Sequence, residues 1–263
     1  MPPLPETVQR MDLGLRGRKA IITGATRGIG RRIADLLAAE GCDVAFCARK
    51  AEQVAETVKD LEKHRVQIHG SVVHVRDADA YKAWLEGAAE TLGGCDIFIP
   101  NVSAGGGMEG EKSWYRNFEI DLMGTVRGCE ALMPTLEESD GGSIVFISTT
   151  AAVETFLAPM AYNAIKAALI TYAKQLSQTT FRNNVRVNTV SPGPIYFEGG
   201  SWEEIRAANQ ALYDSTVAQQ PSGRMGSPEE VARCVAFLAS PAASWVNGAN
   251  LIVDGGFTKR VQF

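Results

Sequence analysis

The sequence lacks the long apolar runs and the excess of basic residues that mark membrane-spanning and nucleic-acid-binding proteins. Its apolar stretches, such as Ile97–Pro100 and Ile144–Ile147, are far shorter than the ~20 residues of a membrane-spanning helix. The N-terminal stretch MPPLPETVQRMDLGLRGRK has no apolar core of the kind that a secretory signal carries. The formal net charge is −4, so the basic face of a nucleic-acid-binding protein is not expected. We therefore expect neither a membrane nor a nucleic acid as partner.

Cysteine and histidine are also sparse, and their spacing excludes several kinds of site. The five cysteines contain no CxxC pair, which is typical of reduced, buried thiols in a cytoplasmic protein. His64, His69 and His74 recur every five residues. In a strand they would alternate between faces and could not converge on one ion. The sequence therefore predicts a cytoplasmic location and no metal site.

What the sequence does contain is a regular alternation of short apolar runs with segments of helical period. The composition, 45% apolar and 21% charged, is that of an ordinary globular protein. Seven runs have the length and β-branched content of buried strands: Ala20–Thr23, Val44–Ala48, Val72–Val75, Ile97–Asn101, Ile144–Thr149, Val185–Val190 and Leu251–Val253. This alternation predicts an α/β fold, with a doubly wound parallel sheet of seven strands and helices on both faces.

The domain organisation follows from the same pattern. There is no linker-like stretch and no internal repeat, so we expect one domain over residues 18–263 and a loose, proline-rich arm over 1–17. The longest insertion between strands, about 195–222, is rich in aromatic residues and glycine. A segment of that length in that place is expected to act as a substrate lid.

The first strand–helix unit carries a glycine motif, KAIITGATRGIG at residues 19–30. Gly24 permits the tight turn, Gly28 lets a phosphate approach the backbone, and Gly30 lets the helix pack closely on the sheet. The N-terminus of the helix offers free N–H groups to a pyrophosphate. The motif favours dinucleotide binding over a glycine-rich turn without a ligand.

The end of the second strand indicates which dinucleotide binds. A carboxylate there would bind the ribose 2′-OH of NAD, but the strand ends in Ala48-Arg49-Lys50. Arg27 and Arg49 can both reach that corner and hold a 2′-phosphate by charge-assisted hydrogen bonds. The sequence therefore favours NADP(H) over NAD(H), the alternative being that both arginines are solvated surface residues.

Tyr162 and Lys166 stand four residues apart in AYNAIKAAL, at the start of a predicted helix. This spacing places both on one helical face, about one turn apart. The ammonium favours ionisation of the phenol, which can then exchange a proton with a carbonyl or hydroxyl oxygen as hydride moves.

Taken together, these motifs resemble the short-chain dehydrogenase/reductase (SDR) family, and a 3-oxoacyl-reductase-like member of it. The resemblance spans residues 13–257 and includes TGATRGIG, the Tyr162/Lys166 pair, NTVSPGPI at 188–195, GRMGSPEEVA at 223–232 and ANLIVDGG at 249–256. It implies a Rossmann-like fold, an enzyme that uses NAD(P) on CH–OH groups, and a homotetramer.

The resemblance also implies roles for individual residues. Tyr162 would be the proton donor or acceptor, while Lys166 would lower the pKa of Tyr162 and hold the nicotinamide ribose. The expected catalytic set is Tyr162, Lys166, Thr149 and Asp121. The expected cofactor-binding set is Gly24, Thr26, Arg27, Gly28, Ile29, Gly30, Arg49, His74, Val75, Asn101, Tyr162, Lys166, Pro192, Gly193 and Ile195.

Several positions depart from the family pattern. Thr149 stands in place of the active-site serine, with Ser148 beside it as the alternative, and Asp121 stands in place of an asparagine. Of the family's Asn-Asn-Ala-Gly after the fourth strand only Asn101 is kept. His74 replaces an acid that contacts adenine, and Phe197 replaces a threonine that contacts the cofactor amide.

The Tyr162–Lys166 spacing also bears on the reaction. Enoyl reductases of the superfamily usually have six residues between the two, so the three here favour interconversion of a ketone and a secondary alcohol. Phe197, Trp202 and Trp114 would wall the pocket, or else only pack the lid on the core. The alternative function, favoured by Asp121 and Thr149, is a non-catalytic dinucleotide-binding sensor or regulatory subunit of the same fold.

Overall fold

Seven parallel strands form the sheet at the centre of the computed structural model, which describes residues 12–261. They are β1 (Lys19–Thr23), β2 (Asp43–Ala48), β3 (Ile68–Val72), β4 (Ile97–Pro100), β5 (Gly142–Ile147), β6 (Val185–Pro192) and β7 (Asn250–Val253). Their order is β3-β2-β1-β4-β5-β6-β7, and every neighbouring pair is parallel. The predicted doubly wound, seven-stranded sheet is confirmed.

Helices cover both faces of this sheet. They are α1 (Gly28–Ala39), α2 (Ala51–Leu61), α3 (Ala78–Leu92), α4 (Glu111–Asn117), α5 (Gly124–Glu137), α6 (Ala161–Thr180), α7 (Ser201–Ala208), α8 (Gln210–Ala218) and α9 (Pro228–Ala239). Helices α1, α2 and α9 pack on one face, and α3, α5 and α6 on the other. Within residues 12–261, none of the helices has the length and apolarity to cross a bilayer.

Strand β1 shows why the sheet supports two separate cores. Ala20 and Ile22 belong to the core under α1 and α9, whereas Ile21 belongs to the core under α3 and α5. Successive side chains of a strand point to opposite faces, so a strand covered on both sides is apolar at every position. This nearly continuous apolar pattern is what made β1, β2, β4 and β5 recognisable in the sequence.

The predicted position of the third strand is wrong. The prediction was Val72–Val75, but β3 runs over Ile68–Val72 with the sequence IHGSV. Within the described residues β3 pairs only with β2, so it is an edge strand and only partly buried, without a continuous apolar run. Only His69 of the three histidines lies in β3, so the expectation that they alternate along one strand is also wrong.

The predicted N-terminal arm extends too far along the chain. Residues 1–11 of this arm lie outside the described residues, but Leu15 is buried in the core under α1. The carbonyl oxygen of Leu15 accepts a hydrogen bond from the Cys42 thiol (3.2 Å), and Gly17 N–H donates to Gly41 O (2.8 Å). Residues from Leu15 onward are therefore part of the packed domain, because Leu15 supplies apolar contacts that the sequence pattern did not reveal.

Candidate active site

The candidate site lies at the carboxyl ends of β1, β4, β5 and β6. The strand order reverses between β1 and β4, and the crevice outside that reversal is where doubly wound sheets bind their ligands. The glycine loop follows β1, Asn101 follows β4, Thr149 follows β5, and Gly193 follows β6. The topology thus brings to one edge the residues that the sequence predicted for cofactor binding and chemistry.

The glycine loop is packed so tightly that a larger residue would not fit. A Cβ atom on Gly30 would collide with the carbonyl oxygen of Gly24 and with the side-chain amide of Asn101. Helix α1 begins at Gly28, and the side chain of Arg27, its N-cap residue, makes no capping hydrogen bond. The first N–H groups of α1 are therefore available to an anion such as a pyrophosphate.

Asn101 ties the glycine loop to the end of β4. Its backbone N–H donates to Thr23 Oγ1 (3.0 Å), and its Nδ2 donates to Thr23 O (3.1 Å) and Gly24 O (2.9 Å). The structure thus gives the amide nitrogen of Asn101 a supporting task, whereas the sequence predicted a contact with the cofactor.

The start of the 195–222 segment covers the glycine loop. Arg27 Nη1 donates to Gly199 O (2.8 Å), and a Cβ atom on Gly28 would lie 2.6 Å from Phe197 Cζ. Phe197 therefore lies directly over Gly28. The rest of the segment forms α7 and α8, so the predicted insertion is largely helical.

The corner beyond β2 is basic, as expected. Arg49 is exposed, and its charge acts on His74, which indicates that the two lie close together. Burial and the charges of Arg49 and Arg76 lower the pKa of His74, and His74 Nδ1 accepts a hydrogen bond from Arg76 N–H (3.2 Å). This environment favours the neutral form of the imidazole. Val75, next in the chain, is buried under α5.

The turn after β6 offers backbone groups to a ligand. Gly193 N–H donates to Val253 O (3.0 Å), and a Cβ atom on Gly193 would lie 2.6 Å from Asp254 Cβ. The neighbouring Tyr196 and Pro194 bond to Gly226. The backbone N–H and C=O of Ile195 make no hydrogen bond to any residue in 12–261. Both groups are thus available to a planar amide.

Helix α6 carries the central pair of the site, with Tyr162 in its first turn and Lys166 one turn later. Lys166 is only 2% exposed, and its Nζ donates to Ile147 O at the end of β5 (2.9 Å). The same Nζ lies 5.9 Å from the centre of the Tyr162 ring. The predicted pair is therefore brought together.

Asp121 completes this group by a direct ion pair. It lies in a π-helical segment, Phe118–Met123, which joins α4 to α5. Its Oδ1 is 3.0 Å from Lys166 Nζ, its Oδ2 accepts from Ala104 N–H (2.9 Å), and it is fully buried. The sequence placed a negative charge near Lys166, but it did not show that carboxylate and ammonium touch.

The structure distinguishes between the two candidate hydroxyls. Ser148 is buried, and its Oγ donates to the carbonyl oxygen of Lys166 (2.9 Å), so it faces α6. Thr149 is less buried, and its hydroxyl lies close enough to the Tyr162 phenol to lower the pKa of that phenol. Thr149 is therefore the hydroxyl that faces the reacting group.

The electrostatic environment of Tyr162 combines opposing effects. Burial raises the pKa of the Tyr162 phenol, the Lys166 ammonium and the Thr149 hydrogen bond lower it, and the Asp121 carboxylate raises it, with a net upward result. Lys166 thus acts in the predicted direction, but burial outweighs it.

Sequence reasoning missed part of the aromatic wall. Phe156 packs against Trp202 of α7 (ring centres 6.2 Å apart) and against Phe257 (5.9 Å). Phe156 lies between Thr149 and Tyr162, and Phe257 directly follows ANLIVDGG, so their places in the chain were the available signal. Trp114 on α4, predicted for this wall, is 49% exposed.

Comparison with known proteins points to one group of enzymes. Residues 24–258 match a family model described as enoyl-(acyl carrier protein) reductase. The chain is 37% identical over 261 residues to isoepoxydon dehydrogenase of Penicillium expansum, with 96% of this chain and 99% of that protein covered. It is 32% identical over 253 residues to D-threitol dehydrogenase of Mycolicibacterium smegmatis, with 94% and 95% covered.

Solved structures give the same result. The crystal structure of L-sorbose reductase from Gluconobacter frateurii, complexed with NADPH and L-sorbose, superposes with a TM-score of 0.88 at 29% identity. The match covers 95% of this chain and all of that one.

Proposed function

Since this chain belongs to the short-chain dehydrogenase/reductase family, we propose that it interconverts a small ketone and a secondary alcohol with NADP(H), through Tyr162. It is an oxidoreductase of the alcohol and ketone class, like its dehydrogenase and reductase relatives. The observation that carries the assignment of Tyr162 is its position beside the Lys166 ammonium and near the Thr149 hydroxyl.

Each side chain of the site has its own role in the reaction. When bound, the nicotinamide supplies or accepts the hydride. The Tyr162 phenol gives its proton to the substrate oxygen in reduction and takes it back in oxidation. The Thr149 hydroxyl donates a hydrogen bond to the same oxygen and so stabilises the negative charge that develops there. The Lys166 ammonium favours the phenolate that remains after proton transfer.

The residues of the crevice fit a dinucleotide, and NADP(H) in particular. The uncapped N-terminus of α1 suits a pyrophosphate, and the free backbone groups of Ile195 suit a carboxamide. Arg49 is exposed beyond a strand end that carries no carboxylate, which favours a 2′-phosphate over a bare ribose. The NADPH bound to L-sorbose reductase supports the same preference.

For the substrate, we propose a small, oxygen-rich carbonyl compound. The relatives named above act on isoepoxydon, D-threitol or L-sorbose, by their names. Two basic residues of the lid region already have partners: Arg206 lies over the Tyr213 ring, and Arg224 pairs with Glu230 (2.7 Å). The phosphate of an acyl carrier would have to compete with these partners. The family model's description names enoyl reduction, but Tyr162 and Lys166 are only one helical turn apart, which favours carbonyl chemistry.

The test is consumption of NADPH and NADH across a panel of cyclic ketones, ketoses and 3-oxoacyl thioesters, with the Tyr162→Phe variant run in parallel. Turnover with NADPH that is lost in Tyr162→Phe would support the proposal. If both proteins bind nucleotide and neither turns over any substrate, the alternative of a non-catalytic sensor replaces it.

We also propose a homotetramer in the cytoplasm. Trp114, Tyr115 and Phe118 are 49%, 64% and 41% exposed on and next to α4, which supports a contact between copies. The five cysteines are free thiols, and four of them are buried, which supports a reducing compartment. Light scattering of the protein and of a Trp114→Lys variant tests the assembly, which the variant should dissociate.

A further inference from the structure

The ion pair between Asp121 and Lys166 is the least expected feature of the site. Both side chains are almost fully buried, with 0% and 3% of their surface exposed. Asp121 is fixed by Ala104 N–H and Lys166 by Ile147 O, so neither partner can turn away without losing a hydrogen bond. The charges are thus held 3.0 Å apart in a place where water screens them little.

This pairing weakens the influence of Lys166 on Tyr162. An isolated ammonium beside a phenol stabilises the phenolate, whereas an ammonium neutralised by a carboxylate in contact with it has a much smaller net field. The carboxylate also acts directly on the phenol, because a like charge disfavours ionisation. Asp121 therefore opposes the activation that Lys166 provides.

The groups that act on the Tyr162 phenol come from three elements. Lys166 lies on the same helix, Asp121 lies on the π-helical segment before α5, and the Thr149 hydroxyl lies after β5. Lys166 and Thr149 favour the phenolate, while burial and Asp121 favour the phenol. Of the two charged groups, only Asp121 favours the protonated form.

We propose that Asp121 is a positioning residue that keeps Tyr162 protonated into the alkaline range, by holding and neutralising Lys166. The inference rests on the proposed function, because it concerns the proton that Tyr162 exchanges with the substrate. In reduction, the carbonyl oxygen gains an electron pair as hydride arrives at carbon. The Tyr162 O–H bond then breaks, its proton bonds to that oxygen, and a solvent proton restores the phenol.

The consequence concerns the pH at which each direction runs, since an enzyme leaves the overall equilibrium unchanged. Reduction needs the phenol and declines as Tyr162 ionises, whereas oxidation needs the phenolate and rises over the same range. Asp121 moves the decline of reduction and the rise of oxidation to higher pH. Removal of its charge should move both parts of the pH profiles to lower pH.

The first experiment titrates Tyr162 without any reaction. The tyrosinate absorbance of the ligand-free protein is followed against pH, and the curve of the Tyr162→Phe variant is subtracted to isolate Tyr162. The same difference is measured for Asp121→Asn against the double variant Asp121→Asn/Tyr162→Phe. We expect the midpoint in Asp121→Asn to fall by about one pH unit.

The matched control is Glu119→Gln, which removes a carboxylate from the same π-helical segment. Glu119 pairs with Arg127 (3.0 Å) and is partly exposed, so its removal should leave the Tyr162 titration unchanged. If Asp121→Asn does not fold, as judged by thermal unfolding, Asp121→Ser replaces it.

Two outcomes would overturn the inference. An unchanged midpoint would mean that Asp121 only supports the fold, and a midpoint at higher pH would mean that Lys166 loses its charge without its partner. The pH profiles of reduction and oxidation are measured next, and both limbs should move with the titration. If no variant turns over substrate, the proposed function fails, while the titration still decides the role of Asp121.

Discussion

The two ends of the candidate site differ in how their polar groups are satisfied. At the catalytic end, Lys166 and Asp121 are buried and bonded to each other and to backbone groups. At the cofactor end, Arg27 is bonded to the backbone of the 195–222 segment, and Phe197 of that segment lies over Gly28. One end is complete by itself, whereas the other end makes contacts that a nucleotide would have to replace or share.

The difference reflects two tasks, proton transfer at the catalytic end and cofactor exchange at the cofactor end. Proton transfer needs charges held at fixed distances, and burial with several hydrogen bonds provides that. Cofactor exchange needs groups that can change partners, and an exposed arginine can do so at little cost because water solvates it between partners. We expect removal of the Tyr162 phenol to cost most of the turnover, and substitutions of exposed side chains at the cofactor end to change nucleotide affinity by degrees.

The largest effect should come from Tyr162→Phe. Removal of the phenol oxygen leaves only the weakly acidic Thr149 hydroxyl beside the substrate oxygen, so the reductive kcat should fall by about 10²–10⁴-fold. Nucleotide affinity should stay within about twofold, because the ring and Lys166 remain. Steady-state kinetics and nucleotide titration by fluorescence check both values. Turnover near that of the unmodified protein would show that another group delivers the proton.

The next effect should come from Gly30→Ala, which adds one methyl group to the tightest part of the glycine loop. The new Cβ would collide with Gly24 O and the Asn101 amide, so the loop must shift and nucleotide binding should be lost. The free energy of unfolding should fall by about 1–3 kcal/mol, as is usual for overpacking. Denaturant unfolding and nucleotide titration measure these changes.

The matched control for that loop is Gly87→Ala on α3, where a Cβ would meet nothing within 4 Å. Alanine is the better helix former, so this variant should gain up to about 1 kcal/mol and bind nucleotide normally. Equal losses in both variants would contradict the steric argument.

A smaller, selective effect is expected for Arg49→Ala. Loss of a charge-assisted hydrogen bond to a 2′-phosphate should raise the KM for NADPH by about 10–100-fold. The KM for NADH should hardly change, because NADH carries no such phosphate. The control is Arg182→Ala. Arg182 is exposed and lies before the amino end of β6, at the opposite end of the strands from the candidate site. Parallel changes for both cofactors would refute the assignment of Arg49.

The smallest effect should come from Phe197→Thr. The substitution uncovers Gly28 and supplies a hydroxyl that can hydrogen-bond to the nucleotide, so we expect nucleotide to bind about 2–10-fold more tightly. Isothermal titration calorimetry measures the Kd. Weaker binding would mean that the Phe197 ring packs on the bound nucleotide instead of competing with it.

Features made by residues close together in the chain could be predicted from the sequence, whereas contacts between distant residues could not. Strands such as β1 and β5 are buried on both faces and were visible as apolar runs, while the edge strand β3 was misplaced because three of its five residues are polar or glycine. The Tyr162–Lys166 pair and the glycine loop are local, so their spacing predicted their geometry. The Arg27–Gly199 bond joins residues 172 positions apart and had no local signal.

The choice between Thr149 and Ser148 shows the same limit at close range. The two hydroxyls are adjacent, and only the extended backbone after β5, which alternates side chains, decides which one faces Tyr162. The contact between Asp121 and Lys166 likewise depended on how the π-helical segment is packed against α6.

Asn101 acts as a spacer between the two halves of the sheet. Three hydrogen bonds from this one residue cross the seam where β4 meets β1, and all three acceptors belong to Thr23 and Gly24. Widening the seam would break all of them together, so the width of the crevice should vary little with temperature. An aspartate of the same shape would set carboxylate oxygens against two carbonyl oxygens and force the seam open. The width of the crevice at the ends of β1 and β4 is thus set by a single residue.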